Sequence, residues 1–134
     1  MKRLQEIIAR HEAREGPLLP ILHEVQAAFG HVSEDSIRGI AAALNLTRAE
    51  VHGVVSFYHD FRSEADPRTV VKLCRAEACQ ARGVDALALP DQERVRIEPI
   101  YCLGLCSVGP AAMIGDKVFA RLDTDSFAAL VAAA

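Results

Sequence analysis

All four cysteines of this chain lie in its second half, as Cys74 and Cys79 and then Cys102 and Cys106. The pairs read C-x4-C and C-x3-C, with 22 residues between them. A fold that uses both pairs must bring two short segments together, because each segment supplies one bite and a rigid scaffold sets the distance between bites. Two pairs on loops at one edge of a sheet would make a four-coordinate thiolate site. Unrelated core cysteines rarely cluster in this way.

With 134 residues, 51% hydrophobic and 25% charged, the composition is globular and excludes disorder or a coiled coil as the main architecture. The N-terminus, Met1 to Ile8, breaks into helical alternation without the apolar run of a signal peptide. No segment approaches the roughly 20 apolar residues that span a bilayer. The expectation is a cytoplasmic protein with no direct membrane insertion, and a reducing compartment moves the cysteines toward metal or redox chemistry. A formal charge of -3 gives no general attraction to phosphates.

The first half is helical by periodicity. Leu4, Ile7, Ile8 and His11 form one stripe, and Gly16-Pro17 ends that helix and begins a second over about Pro17 to Phe29. Ile21, Leu22, Val25 and Phe29 are expected inside, with Gly30 as a left-handed cap. Ser33 caps a third helix carrying Ile37, Ile40, Ala41 and Leu44, closed by Asn45. Thr47 and Glu50 fit a capping box ahead of Val51, Val54, Val55 and Tyr58.

The polar stretch Ser63 to Pro67 reads as a linker, which predicts a helical unit over 1–65 and a second unit over 66–134. Thr69 to Leu73 reads as a strand ending at Cys74, Cys79 to about Leu87 as a helix, and Arg94 to Glu98 as a second strand. Ala111 to Ile114, the turn Gly115-Asp116 and Lys117 to Ala120 form a hairpin. Thr124 caps a last helix with Phe127, Leu130 and Val131. This order is that of a small thioredoxin-type α/β sandwich, so the fold class is α+β with both cysteine pairs on loops after strand ends. Pro110 is a candidate for a cis peptide bond.

The donor set leaves two chemistries open. Structural zinc favours two to four residues between ligands, which puts the C-x4-C gap at its long end. A two-iron cluster also uses such pairs and is wider than a single ion. Gly104 and Gly109 would let backbone N–H groups approach the sulfurs, and Arg75 and Arg82 flank the first pair as solvated surface charges. The five histidines have no carboxylate partner at metal spacing and read as surface or interface packing. Phe57, Tyr58 and Phe61 read as core or docking residues.

Two further classes compete with a metal or cluster carrier. Asn45 to Val51 between short helices is similar to a helix-turn-helix, as in an iron–sulfur or zinc-containing DNA-binding regulator. Residues 33–62 hold three arginines against four acidic side chains and no lysine, which leaves no basic face for nucleic acid. A thiol oxidoreductase would need C-x-x-C, which is absent.

Gly16-Pro17-Leu18-Leu19-Pro20-Ile21-Leu22, the run Glu50 to Tyr58, Tyr101-Cys102-Leu103-Gly104-Leu105-Cys106 and Gly109-Pro110-Ala111 resemble the thioredoxin-like [2Fe-2S] ferredoxin subunits. That family sits beside the flavin module of NADH:quinone oxidoreductase, NAD-linked hydrogenases and NAD-dependent formate dehydrogenases. The segment Cys74 to Ala81 is most similar to the formate dehydrogenase gamma subunit. The resemblance implies Cys74, Cys79, Cys102 and Cys106 as ligands of one [2Fe-2S] cluster in a non-catalytic electron-transfer subunit. It implies an FMN- and NAD-binding beta-type subunit with further clusters, a large Fe–S and molybdenum alpha-type subunit, and a helical half that docks. The chain departs from the family in the short stretch between Cys79 and Cys102, which implies that the helix after Cys79 is cut short or that residues near 87–90 are missing.

Overall fold

A computed structural model describes residues 1–134 and divides them into two compact units, Met1–Pro67 and Arg68–Ala134. No helix is long and apolar enough to cross a membrane.

The first unit consists of α1 (Lys2–His11), α2 (Leu18–Phe29), α3 (Glu34–Leu44) and α4 (Arg48–Phe57). Leu4, Ile7, Ile8, Ile21, Leu22, Val25, Ile37, Ile40, Val51 and Val55 are buried in one cluster. Their spacing of three and four residues puts them on one stripe of each helix. Leu4 can lie against α3 because Gly39 has no side chain there, since a Cβ would come within 2.9 Å of Leu4 Cδ2.

The helix ends follow local chemistry. Gly30 closes α2 at φ 78 and Asn45 closes α3 at φ 54, both left-handed. Ser33 Oγ accepts from Ser36 N, and Thr47 and Glu50 make the reciprocal box at the start of α4. Loss of that box through Thr47→Ala is expected to cost about 1 kcal/mol, read as a lower denaturant midpoint at unchanged slope.

Arg10, and beside it His11, donate from α1 to the Glu24 carboxylate on α2, and these bonds hold it below the usual carboxylate range. A carboxylate depressed in the folded state contributes stability above its unfolded pKa and loses it as pH falls through the lowered value. Glu24→Gln is therefore expected to lower thermal stability at neutral pH, slightly because the pair is exposed, with the difference from the parent closing as pH falls below about 4.

Two aromatic expectations are corrected. Phe29 is exposed at the last residue of α2, with the Arg3 guanidinium 5.7 Å above its ring. Tyr58 is also exposed, because α4 ends at Phe57 and Tyr58 turns into extended backbone, φ -90 and ψ 116, off the helical stripe.

The second unit holds a four-stranded sheet in the order β2-β1-β3-β4, from β1 (Thr69–Cys74), β2 (Val95–Ile100), β3 (Ala112–Ile114) and β4 (Lys117–Phe119). β1 pairs parallel with β2 and antiparallel with β3, and β3 and β4 form the hairpin. Pro99 is tolerated because β2 is an edge strand. The short helix α5 (Glu77–Ala81) follows β1, and α6 (Thr124–Ala133) closes the unit, laying Phe127 and Val131 on Val71, Leu73, Val95 and Ala112. The cap of α6 is Asp123 rather than Thr124: Asp123 accepts from Ser126 N, and Ser126 Oγ accepts from Asp123 N.

The helix expected over Cys79 to Leu87 is shorter and earlier. α5 stops at Ala81, and Gly83 at φ 95 breaks the chain before a 3-10 turn at Val84–Ala86. A left-handed residue cannot continue a right-handed helix, so the helix ends ahead of Gly83.

Candidate metal centre

Parallel pairing sets the site. β1 and β2 run side by side with Cys74 in register with Ile100, so the segments that leave both C-terminal ends emerge together. Arg75 N donates to Ile100 O at 2.8 Å, and Cys74 N donates to Ala111 O at 2.9 Å, which ties the first segment to β2 on one side and the hairpin on the other.

Not every cysteine sits on a loop. Cys74 is the last residue of β1, Cys79 lies inside α5, and Cys106 opens a 3-10 turn, Cys106–Val108. Cys102 is on the loop after β2, at φ 97, a left-handed conformation rare for a residue with a Cβ. Cys74 and Cys79 are buried at 2% exposure, whereas Cys102 and Cys106 are exposed. None is in a disulfide, and Cys102 Sγ lies 3.7 Å from Cys106 Sγ. The thiols thus form two pairs, and no three His, Cys, Asp or Glu side chains close around a single ion position.

Backbone donors surround the sulfurs. Burial pushes the Cys74 thiol up, but hydrogen bonds from the N–H groups of Ala76, Cys102 and Leu103 and from the Cys79 thiol outweigh it, so its pKa lies below the ordinary value. Burial and the neighbouring Cys74 sulfur push Cys79 up. Cys106 is pushed up by its hydrogen bond with Cys102 and the charge there. Cys79 also feels the charge of Cys106, and Cys106 that of Cys74, so the pairs are electrostatic neighbours. Gly104 N points at Cys102 Sγ from 3.4 Å. Four free thiols flanked by N–H donors suit a four-thiolate group, whose sulfurs carry negative charge.

Gly109 makes its close approach to a sulfur, since a Cβ there would sit 2.9 Å from Cys79 Sγ. The Gly109-Pro110 peptide is cis. Arg75 is the surface residue expected, paired with Asp85 at 2.7 Å. Arg82 is not merely solvated: its Nε donates to Cys106 O at 3.1 Å. Sequence reasoning missed that contact, because it joins residues 24 apart with no local pattern to mark it.

All five histidines belong to the helical unit. His11 pairs with Glu24, the His23 ring lies tilted against Phe61 with centroids 4.9 Å apart, and His52 and His59 line a pocket of about 300 Å³. In the helix-turn-helix-like segment, Arg48 is paired with Glu34 and Arg38 with Asp35.

A family model described as thioredoxin-like [2Fe-2S] ferredoxin matches residues 4–134. The chain is 27% identical over 122 residues to the HndA component of the NADP-reducing hydrogenase of Solidesulfovibrio fructosivorans, covering 81% of this chain and 71% of that protein. It is 30% identical over 131 residues to a component of the NADH-quinone oxidoreductase of Aquifex aeolicus (strain VF5), covering 87% and 81%. Among solved structures, an NAD+-reducing [NiFe]-hydrogenase in the H2-reduced state superposes with a TM-score of 0.63 at 24% identity, over 83% of this chain. This chain spans 21% of that hydrogenase chain, and the likeness is one of fold. Because the family model runs through both units and past all four cysteines, the chain belongs to the thioredoxin-like [2Fe-2S] ferredoxins.

Proposed function

We propose that this chain is a non-catalytic electron-transfer subunit that holds one [2Fe-2S] cluster on Cys74, Cys79, Cys102 and Cys106, beside a subunit that binds FMN and NAD. The observation that carries the reading is the parallel β1–β2 pairing, which delivers two thiol pairs to one end of the sheet. Two thiol pairs suit a two-iron core, in which each iron takes two thiolates. The family membership supports the same cofactor.

When bound, such a cluster accepts and returns one electron at a time, which complements a flavin that handles hydride as two electrons. The chain's own groups tune and protect that chemistry. N–H groups of Ala76, Cys102 and Leu103 on Cys74, and of Gly104 on Cys102, offset negative charge and favour the reduced state. Leu103, Leu105 and Ile100 pack against the core and keep water from the inner side. The exposed Cys102 and Cys106, with Tyr101 at 71% exposure, leave the outer side open to a redox partner.

The helical unit serves as a docking arm, and the similarity of Cys74 to Ala81 to the formate dehydrogenase gamma subunit supports an assembly of the NAD-dependent formate dehydrogenase kind, with a large Fe–S and molybdenum subunit. A second reading, NADH:quinone oxidoreductase or an NAD-reducing hydrogenase, is supported by the likeness to components of an NADH-quinone oxidoreductase and of an NADP-reducing hydrogenase. Anaerobic purification from the native host tests both levels. About two irons and two sulfides per chain are expected, and a colourless chain with one zinc would overturn the cluster. A co-purifying molybdenum subunit supports formate dehydrogenase, whereas nickel–iron or membrane subunits support the second reading.

A further inference from the structure

Between the two cysteine pairs lies a contact that neither pair makes itself. Arg82, the residue that caps α5, donates from Nε to Cys106 O at 3.1 Å and so joins the helix of the first pair to the turn of the second. Its stem crosses Gly109, where a Cβ would lie 3.5 Å from Arg82 Cδ and 2.9 Å from Cys79 Sγ. Gly109 therefore leaves one slot filled from two sides, by a sulfur of the first pair and the arginine stem. The strip holding Gly109 is fixed from behind, since Arg121 N donates to Val108 O at 2.6 Å and Leu122 N to Pro110 O at 3.1 Å.

We propose that Arg82 and Gly109 act together as a latch that sets the distance between the Cys74/Cys79 and Cys102/Cys106 pairs, with Arg82 as a positioning residue for the cluster. The proposal rests on the cluster reading above. Two physical roles follow. The fixed guanidinium orients the Cys106 turn through a charge-assisted hydrogen bond. Its positive charge also stabilises the reduced cluster, which is more negative than the oxidised one by one electron.

The test uses the full chain with Arg82→Met, Arg82→Lys and Gly109→Ala. Arg82→Met keeps the stem but loses the bond and the charge. Cluster release to an iron chelator is expected to accelerate about tenfold, the equivalent of one charge-assisted hydrogen bond, and the midpoint potential in a dithionite titration is expected to fall. Arg82→Lys restores the charge without the planar donor fork, so the potential should recover while release stays fast. Gly109→Ala should shift the visible circular dichroism and the electron paramagnetic resonance g values, because the Cys79 sulfur must move. A surface arginine of structural value alone would leave the potential where it was.

The cluster-free chain reports on the latch by itself. Alkylation of the buried Cys79 by iodoacetamide is expected to be faster in Arg82→Met by about the same factor. Absence of iron and sulfide from the unsubstituted anaerobic chain would end the cluster reading, and the alkylation rates would then decide whether the latch exists. Unchanged spectra, potential, release and alkylation in both Arg82→Met and Gly109→Ala would overturn the latch while leaving the cluster reading in place.

Discussion

Cys79→Ser is expected to empty the centre, taking iron from about two per chain to near zero in the anaerobically purified protein. Cys79 is 2% exposed, and its sulfur fills a slot bounded by Gly109. A serine hydroxyl there holds its proton at neutral pH, is shorter than the thiol, and has no water at hand to complete coordination in its place. Cys106→Ser replaces an exposed thiol that the proposed cluster would use, where solvent can reach the open position. A reduced but measurable iron content with an altered visible spectrum is expected. Iron and sulfide analysis with absorption spectra checks the order, and full iron in Cys79→Ser would refute the ligand assignment.

The second large effect is on folding. Phe127 is fully buried and is the largest such side chain in the chain. It is the point at which α6 seals the sheet, among Val71, Leu73 and Val95. Phe127→Ala is expected to destabilise the Arg68–Ala134 unit by about 3–5 kcal/mol through lost transfer energy and the cavity left behind. That is a large share of the roughly 5–15 kcal/mol of an ordinary domain. Amide exchange of β1 and β2 in the cluster-free chain measures it, with protection falling by about two to four powers of ten. Leu130→Ala, on the same helix but only half-buried, should cost much less.

Helix edges with a local chemical signature are legible in the chain itself. The Ser33 cap, the Thr47–Glu50 box, and the closures at Gly30 and Asn45 each involve atoms within four residues of one another. Sequence reasoning fails where a local signal meets a longer-range fact. Phe29 continues the α2 stripe but lies at the helix end under Arg3. Thr124 has the chemistry of a cap, yet the box closes one residue earlier on Asp123 and Ser126. Periodicity extends the helix after Cys79 too far because the alanines on either side of Gly83 mask how completely a left-handed glycine ends it.

The sequence alone determined which atoms are available: four thiols in two close pairs, two short strands ahead of them, and glycines spaced among them. Tertiary structure alone decided their inequality. Parallel pairing brings both strand ends together, one pair sinks into the core while the other stays at the surface, and Arg82 reaches across 24 residues to join them. Spacing along a chain fixes only the bite of each pair, whereas burial, backbone donors and the contact between pairs depend on which segments the sheet lays side by side.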